Sequence, residues 1–160
     1  MAIELKKVAV IQTLALGFNY EASVDLTTDL GATAGSATAV DIQVGGAAMA
    51  GTVTDAAVIV DEFVTAAVTD GGAAISDATL AIGDDGDPNG MVVEVDVFSD
   101  SSSLGKIFAN NGAITQVGNH LVTVLSVTSN GTGSGLGDAA KGKFRFLVEY
   151  YPTAGQGFSN

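Results

Sequence analysis

The chain has 160 residues, 47% of them apolar, with 21 glycines and no cysteine. That suits one domain burying roughly 70% of its unfolded surface, is too apolar for intrinsic disorder, and excludes thiolate catalysis and cysteine-ligated zinc. Acidic residues outnumber basic ones 18 to 6 for a formal charge of −12, a balance that repels nucleic acid and anionic membrane surfaces, both of which are held through lysine and arginine.

The acids run from Glu4 to Glu149 without forming a block, so they read as a solvated skin and not as an acidic tail. No apolar run approaches the length of a transmembrane helix. At the start, Lys6 and Lys7 precede Val8-Ala9-Val10-Ile11 in the outline of a secretory leader. Glu4 in the charged region, Gln12 and Thr13 in the apolar one, and the lack of a small-x-small cleavage site argue against it, so no signal peptide is expected. Residues 3–16 fit two descriptions. Their β-branched content favours a strand, while Ile3, Lys7, Ile11 and Leu14 could line a helix.

Beyond this segment, period-2 patterns punctuated by Gly, Asn, Asp and Ser predict strands. Short ones are expected at 23–28, 38–44 and 79–82, and a Val-rich one at 58–65. Within the last, Asp61 and Glu62 are adjacent acids, which alternation would send to opposite faces and so prevent from acting on one bond.

Asp85-Gly86-Asp87-Pro88-Asn89-Gly90 matches the front half of a calcium loop, with Asp96 at the twelfth position. Asp85, Asp87 and Asn89 are the candidate metal ligands, because loop positions 1, 3 and 5 converge when a glycine at 6 permits a sharp turn. The last ligand is a short Asp where a bidentate Glu is usual, and Met91 to Phe98 reads as a strand with Met91, Val93, Val95 and Val97 on one face. Such a strand carries Asp96 away from the loop. The composition therefore favours a polar turn, with calcium as the alternative and no other cofactor expected.

His120 to Thr128 is apolar on both faces through Leu121, Val122, Val124, Leu125 and Val127, as in a strand covered on both sides. The Ser/Gly run at 129–137 predicts a flexible loop, and the sequon Asn130-Gly131-Thr132 reads as part of its composition. Lys141, Lys143 and Arg145 hold three of the six positive charges. They fit a contact face for an acidic partner or, as the simpler expectation, pairs with acids on an adjacent strand. From Lys143 to Tyr150, Phe144, Phe146, Val148 and Tyr150 share one face, and Lys143, Arg145, Leu147 and Glu149 the other, until Pro152 ends the strand.

These segments predict an all-β protein, a sandwich, jelly roll or barrel of seven or eight strands. Residues 1–18 are expected to form an N-terminal arm or first strand, 19–152 a single β-sandwich domain, and 153–160 a tail. An enzyme is not expected: the single histidine, His120, has no serine or cysteine nucleophile motif to serve, and the glycine-rich segments lack P-loop and dinucleotide-binding spacing.

The Val-Asp strands, the turn Ala81-Ile82-Gly83-Asp84-Asp85-Gly86-Asp87 and the final Gly142-Lys143-Phe144-Arg145-Phe146-Leu147-Val148-Glu149-Tyr150-Tyr151 segment resemble capsid decoration (cement) proteins of tailed bacteriophages, loosely over residues 20–152. The resemblance is one of strand pattern and composition and transfers no site residue. It implies a jelly-roll-like sandwich that forms a homotrimer and binds the shell of the major capsid protein. Such a chain is made in the host cytoplasm and ends on the outer capsid surface of the virion. The alternatives are a lectin-like carbohydrate-binding sandwich and a head or tail fibre component.

Overall fold

In the computed structural model, which describes residues 2–3, 6–7, 20–30, 35–44, 51–84, 86–99, 107–109, 115–117 and 121–152, the alternating segments pair into two sheets. In chain order the strands are β1 (Ala2–Ile3), β2 (Lys6–Lys7), β3 (Tyr20–Asp25), β4 (Ala39–Val44), β5 (Gly51–Ala66), β6 (Val68–Thr69), β7 (Gly72–Ala73), β8 (Ile75–Asp84), β9 (Val92–Asp96), β10 (Ile107–Ala109), β11 (Thr115–Val117), β12 (Leu121–Ser129) and β13 (Ala139–Pro152). One sheet has the order β1-β4-β12-β8-β9. The other has the order β10-β5-β13-β3-β2, with β11 also on β5. Strands β6 and β7 form a separate small hairpin.

The pairing is that of nested hairpins. Outermost, β3 lies antiparallel to β13 (Val24 opposite Phe144), then β4 to β12 (Val40 opposite Leu125). Next inward, β5 pairs with β10 and β11, and innermost β8 pairs with β9. Two further antiparallel pairings, β5 with β13 and β12 with β8, fold this ribbon into the two sheets. The sequence prediction of an all-β sandwich matches this arrangement.

Alternation explains the core. Phe144, Phe146, Val148 and Tyr150 of β13 meet Val58 and Val60 of β5 and Val24 of β3, and the other sheet supplies Ile42, Leu80, Ile82, Val92 and Leu125. Each such fully buried side chain stabilises the fold by about 1.5–3 kcal/mol relative to exposure. The rings of Tyr20 and Tyr150 meet edge to face with centroids 5.8 Å apart.

Several elements differ from the sequence expectation for local reasons. The strand expected at 23–28 ends at Asp25, and Leu26–Leu30 form a π-helical turn. Asp25 accepts hydrogen bonds from the Thr27 amide at 3.0 Å and its hydroxyl at 2.7 Å, while Asp29 accepts from the Asp25 amide at 2.7 Å. Side chains here satisfy backbone groups that a ladder would otherwise use. In β9, Leu80 pairs with Val95 and Ile82 with Val92, so two β9 residues, Val93 and Glu94, oppose Ala81 alone on β8. This bulge turns Val92 inward and leaves Val93 52% exposed, replacing the expected Met91-Val93-Val95-Val97 face.

Burial on both faces falls on β5 and β13. On the side of their sheet away from the main core, Ala57 and Leu147 are 0% exposed and Ile59 is 6% exposed, forming a second cluster within one chain. On β12, Val124 is half-buried, and the side chains of 121–123 lie outside the described residues. The 129–137 loop is tied down: Leu136 donates its amide to Ala37 O at 2.8 Å and Gly137 to Gly35 O at 2.9 Å. A side chain at Gly135 would lie 2.5 Å from Ala37 O. At the N-terminus, Ala2–Ile3 pair parallel with β4 and Lys6–Lys7 antiparallel with β3 of the same chain. The rest of the expected arm, and the tail at 153–160, lie outside the described residues.

Candidate functional site

The innermost hairpin turn, between β8 and β9, walls a concavity on the five-stranded sheet. Gly83 faces outward on β8, where a Cβ would overlap the Asp87 carbonyl oxygen and lie 2.5 Å from the Pro88 carbonyl carbon. Glycine thus lets the turn fold back over the sheet. The Asp84 carboxylate accepts the amides of Gly86 at 2.8 Å and Asp87 at 2.9 Å, an Asx-type turn. The Asp87 carbonyl accepts from the Asp84 amide at 3.0 Å and the Gly90 amide at 3.1 Å.

Of the candidate metal ligands, Asp87 and Asn89 are exposed in this turn, and Asp85 lies outside the described residues. Asp96 sits on β9, its carboxylate accepting the Phe98 amide at 2.8 Å. The residue that organises the turn is Asp84, one position before the motif begins.

The concavity is a trough on the outward face of the five-stranded sheet. Outward residues of β12 and β8 form its floor in register: Val124 beside Ala81, Ser126 beside Thr79, Thr128 beside Asp77. Asp41 of β4, opposite Val124, stands on one side. Glu94, outward on β9 beside the bulge, stands on the other and accepts the Thr79 hydroxyl at 2.5 Å. Two adjoining cavities fill it. One, of about 410 Å³, is bounded by Asp41, Ala81 and the Pro88–Asn89 turn, and the other, of about 280 Å³, by Asp77, Thr79 and Thr128. Both touch Glu94 and Ser126. The site leaves no local signature in the sequence, because its residues come from four strands far apart in the chain.

On the opposite outer face, the three clustered cations meet acids on neighbouring strands, as the simpler sequence expectation had it. Arg145 grips Asp61 through two bonds of 2.6 and 2.8 Å. Lys143 lies 3.2 Å from Asp25 and Lys141 3.5 Å from Glu62. The hydrogen bond to Asp61 raises the Arg145 pKa further. That to Asp25 raises the Lys143 pKa. Asp61 and Glu62 were expected on opposite faces, yet both reach cations on the outer side of β13. The cause is an extra β5 residue where Val60 pairs with Phe144 and Glu62 with Lys143.

The Arg145–Asp61 pair is expected to contribute about 0.5–1 kcal/mol in a double-mutant cycle, shrinking as salt rises. Denaturant midpoints of Arg145→Ala, Asp61→Ala and the double variant measure it.

Asp25 acts in both the turn and the ion-pair row. The Thr27 hydroxyl bond, and then the Lys143 contact, hold its carboxyl below the ordinary value against the opposing effect of burial. A depressed carboxyl stabilises the fold at pH above its unfolded value, and that contribution disappears as pH falls through the lower folded value. Asp25→Ala is expected to cost about 1 kcal/mol at neutral pH, and the gap to the parent should narrow on acidification. Melts across an acid pH series check both.

His120 lies outside the described residues. Asn130 of the expected sequon is exposed and donates its side-chain amide to Ala73 O at 3.1 Å. No family model, curated protein or solved structure matches this chain.

Proposed function

We propose that the chain is a non-catalytic structural protein of a virion, one that self-associates as a trimer and binds the outer surface of a capsid shell. The observation that carries this reading is the strand order. The orders β3-β13-β5-β10 and β4-β12-β8-β9, with the chain alternating between sheets through β3, β4, β5 and β8, are those expected when one long antiparallel hairpin is rolled into a jelly roll. Viral capsid and lectin domains use that architecture. The acidic skin keeps free copies apart in solution, and association then depends on matched surfaces.

The polar trough favours a lectin-like module as a second reading, since carboxylates, hydroxyls and the Asn89 amide suit sugar hydroxyls. Against it, no aromatic side chain is among the described residues lining the trough, and aromatic faces are the usual platform for sugar rings.

Mixing the purified chain with undecorated capsid shells tests the first reading. It is expected to co-sediment at fixed stoichiometry and raise the temperature at which the shells rupture. Chain that stays in the supernatant at saturating concentration would contradict it.

A further inference from the structure

The trough has the shape and charge of a docking groove, and we propose that it binds an extended, lysine- or arginine-bearing segment of a partner protein. This inference goes beyond the proposed role and holds whether or not the partner belongs to a capsid.

Shape is the first argument. The floor follows β12 and β8, and Val124 to Thr128 spans about 14 Å at the rise of a strand, room for about four extended residues. Small side chains at Ala81, Ser126 and Thr79 hollow the middle, while Asp41 and Glu94 rise on either side. One end is closed by the turn that Gly83 allows to fold back. A channel running along the strands and stopped at one end admits a chain lengthwise and sets its register.

Charge is the second. The lining contributes the carboxylates of Asp41, Asp77 and Glu94, and no lysine or arginine is among its described residues. The cations Lys141, Lys143 and Arg145 sit on the other sheet's outer face, each beside a carboxylate there. The formal charge of −12 adds to the field at the groove. Low-dielectric walls focus such a field, steering a cationic segment inward and turning acidic ones away. The Glu94 carboxylate, held by Thr79 at 2.5 Å, is already oriented for a partner cation. Val124 and Ala81 offer apolar contact to the aliphatic stem of a bound lysine.

The test is a titration of acetylated, amidated Ala-Lys-Val-Lys-Ala into isotope-labelled full-length chain, followed by amide shifts. The perturbed amides are expected to cluster at Thr79, Ala81, Glu94 and Ser126, with affinity falling as salt is raised. Asp41→Asn with Glu94→Gln should weaken binding about tenfold, in a variant that melting and the unperturbed amide spectrum show to be folded. Ser126→Lys, which places a cation in the channel, should abolish it. The same peptide with glutamate for lysine should not bind. The proposal is overturned if the perturbed amides lie on the opposite sheet or the double variant binds equally well. It is also overturned if a neutral peptide or an oligosaccharide fills the trough where the lysine peptide does not.

Discussion

Phe146→Ala is expected to lower the stability of the fold by about 3–5 kcal/mol, the range for deleting a fully buried aromatic ring. Phe146 lies at the centre of β13, opposite Ala22 on β3 and Val58 on β5, and is 0% exposed. Strands hydrogen-bonded along their length cannot close inward on the space the ring leaves, so the lost contacts stay lost. Domains of this size are stable by only about 5–15 kcal/mol. The variant should therefore unfold at a much lower denaturant midpoint with an unchanged m-value. The neighbouring change Arg145→Ala, on the opposite face of the same strand, should cost no more than about 1 kcal/mol. A Phe146 variant as stable as the Arg145 variant would reverse the assignment of faces on β13.

The second large effect is expected at Gly83. A Cβ there would overlap the Asp87 carbonyl oxygen and crowd the backbone of Pro88 and Asn89. The Asp87 carbonyl is held by the Asp84 and Gly90 amides, so relief requires moving the whole turn. Gly83→Val is expected to cost about 3 kcal/mol, the upper part of the usual range for overpacking. It should also open the closed end of the trough. Gly86→Ala is the matched control in the same turn: its nearest neighbour is the Asp84 carboxylate oxygen at 3.4 Å, and a cost within about 0.5 kcal/mol is expected. Thermal melts of the two variants separate a real backbone approach from a general intolerance of the turn.

The faces of β13 were legible because Phe144, Phe146, Val148 and Tyr150 alternate with Lys143, Arg145 and Glu149, with Leu147 the one apolar residue on the charged face. β9 was less so. Val92, Val93, Val95 and Val97 offer valine at both parities, and only the pairing of Val95 with Leu80 and Val92 with Ile82 decides which turn inward. The first half of β5, Gly51 to Ala57, is rich in Gly, Ala and Thr and carries little strand signal, but pairing with Leu147–Pro152 of β13 recruits it.

The calcium-loop spacing drew notice to Asp85, Asp87 and Asn89, while the carboxylate that shapes the turn is Asp84. A better pointer was Gly83 itself, since glycine inside a strand pattern marks close backbone approach. The trough had no local signature. Asp41, Thr79, Glu94 and Ser126 come together only through strand pairing.

Self-association separates a structural assembly protein from a lone binding module. The most direct measurement is the mass of the full-length chain by light scattering coupled to size-exclusion chromatography, across a range of concentrations. The structural reading predicts a species of about three times the 15.9 kDa chain mass. A single species at the chain mass throughout would contradict it.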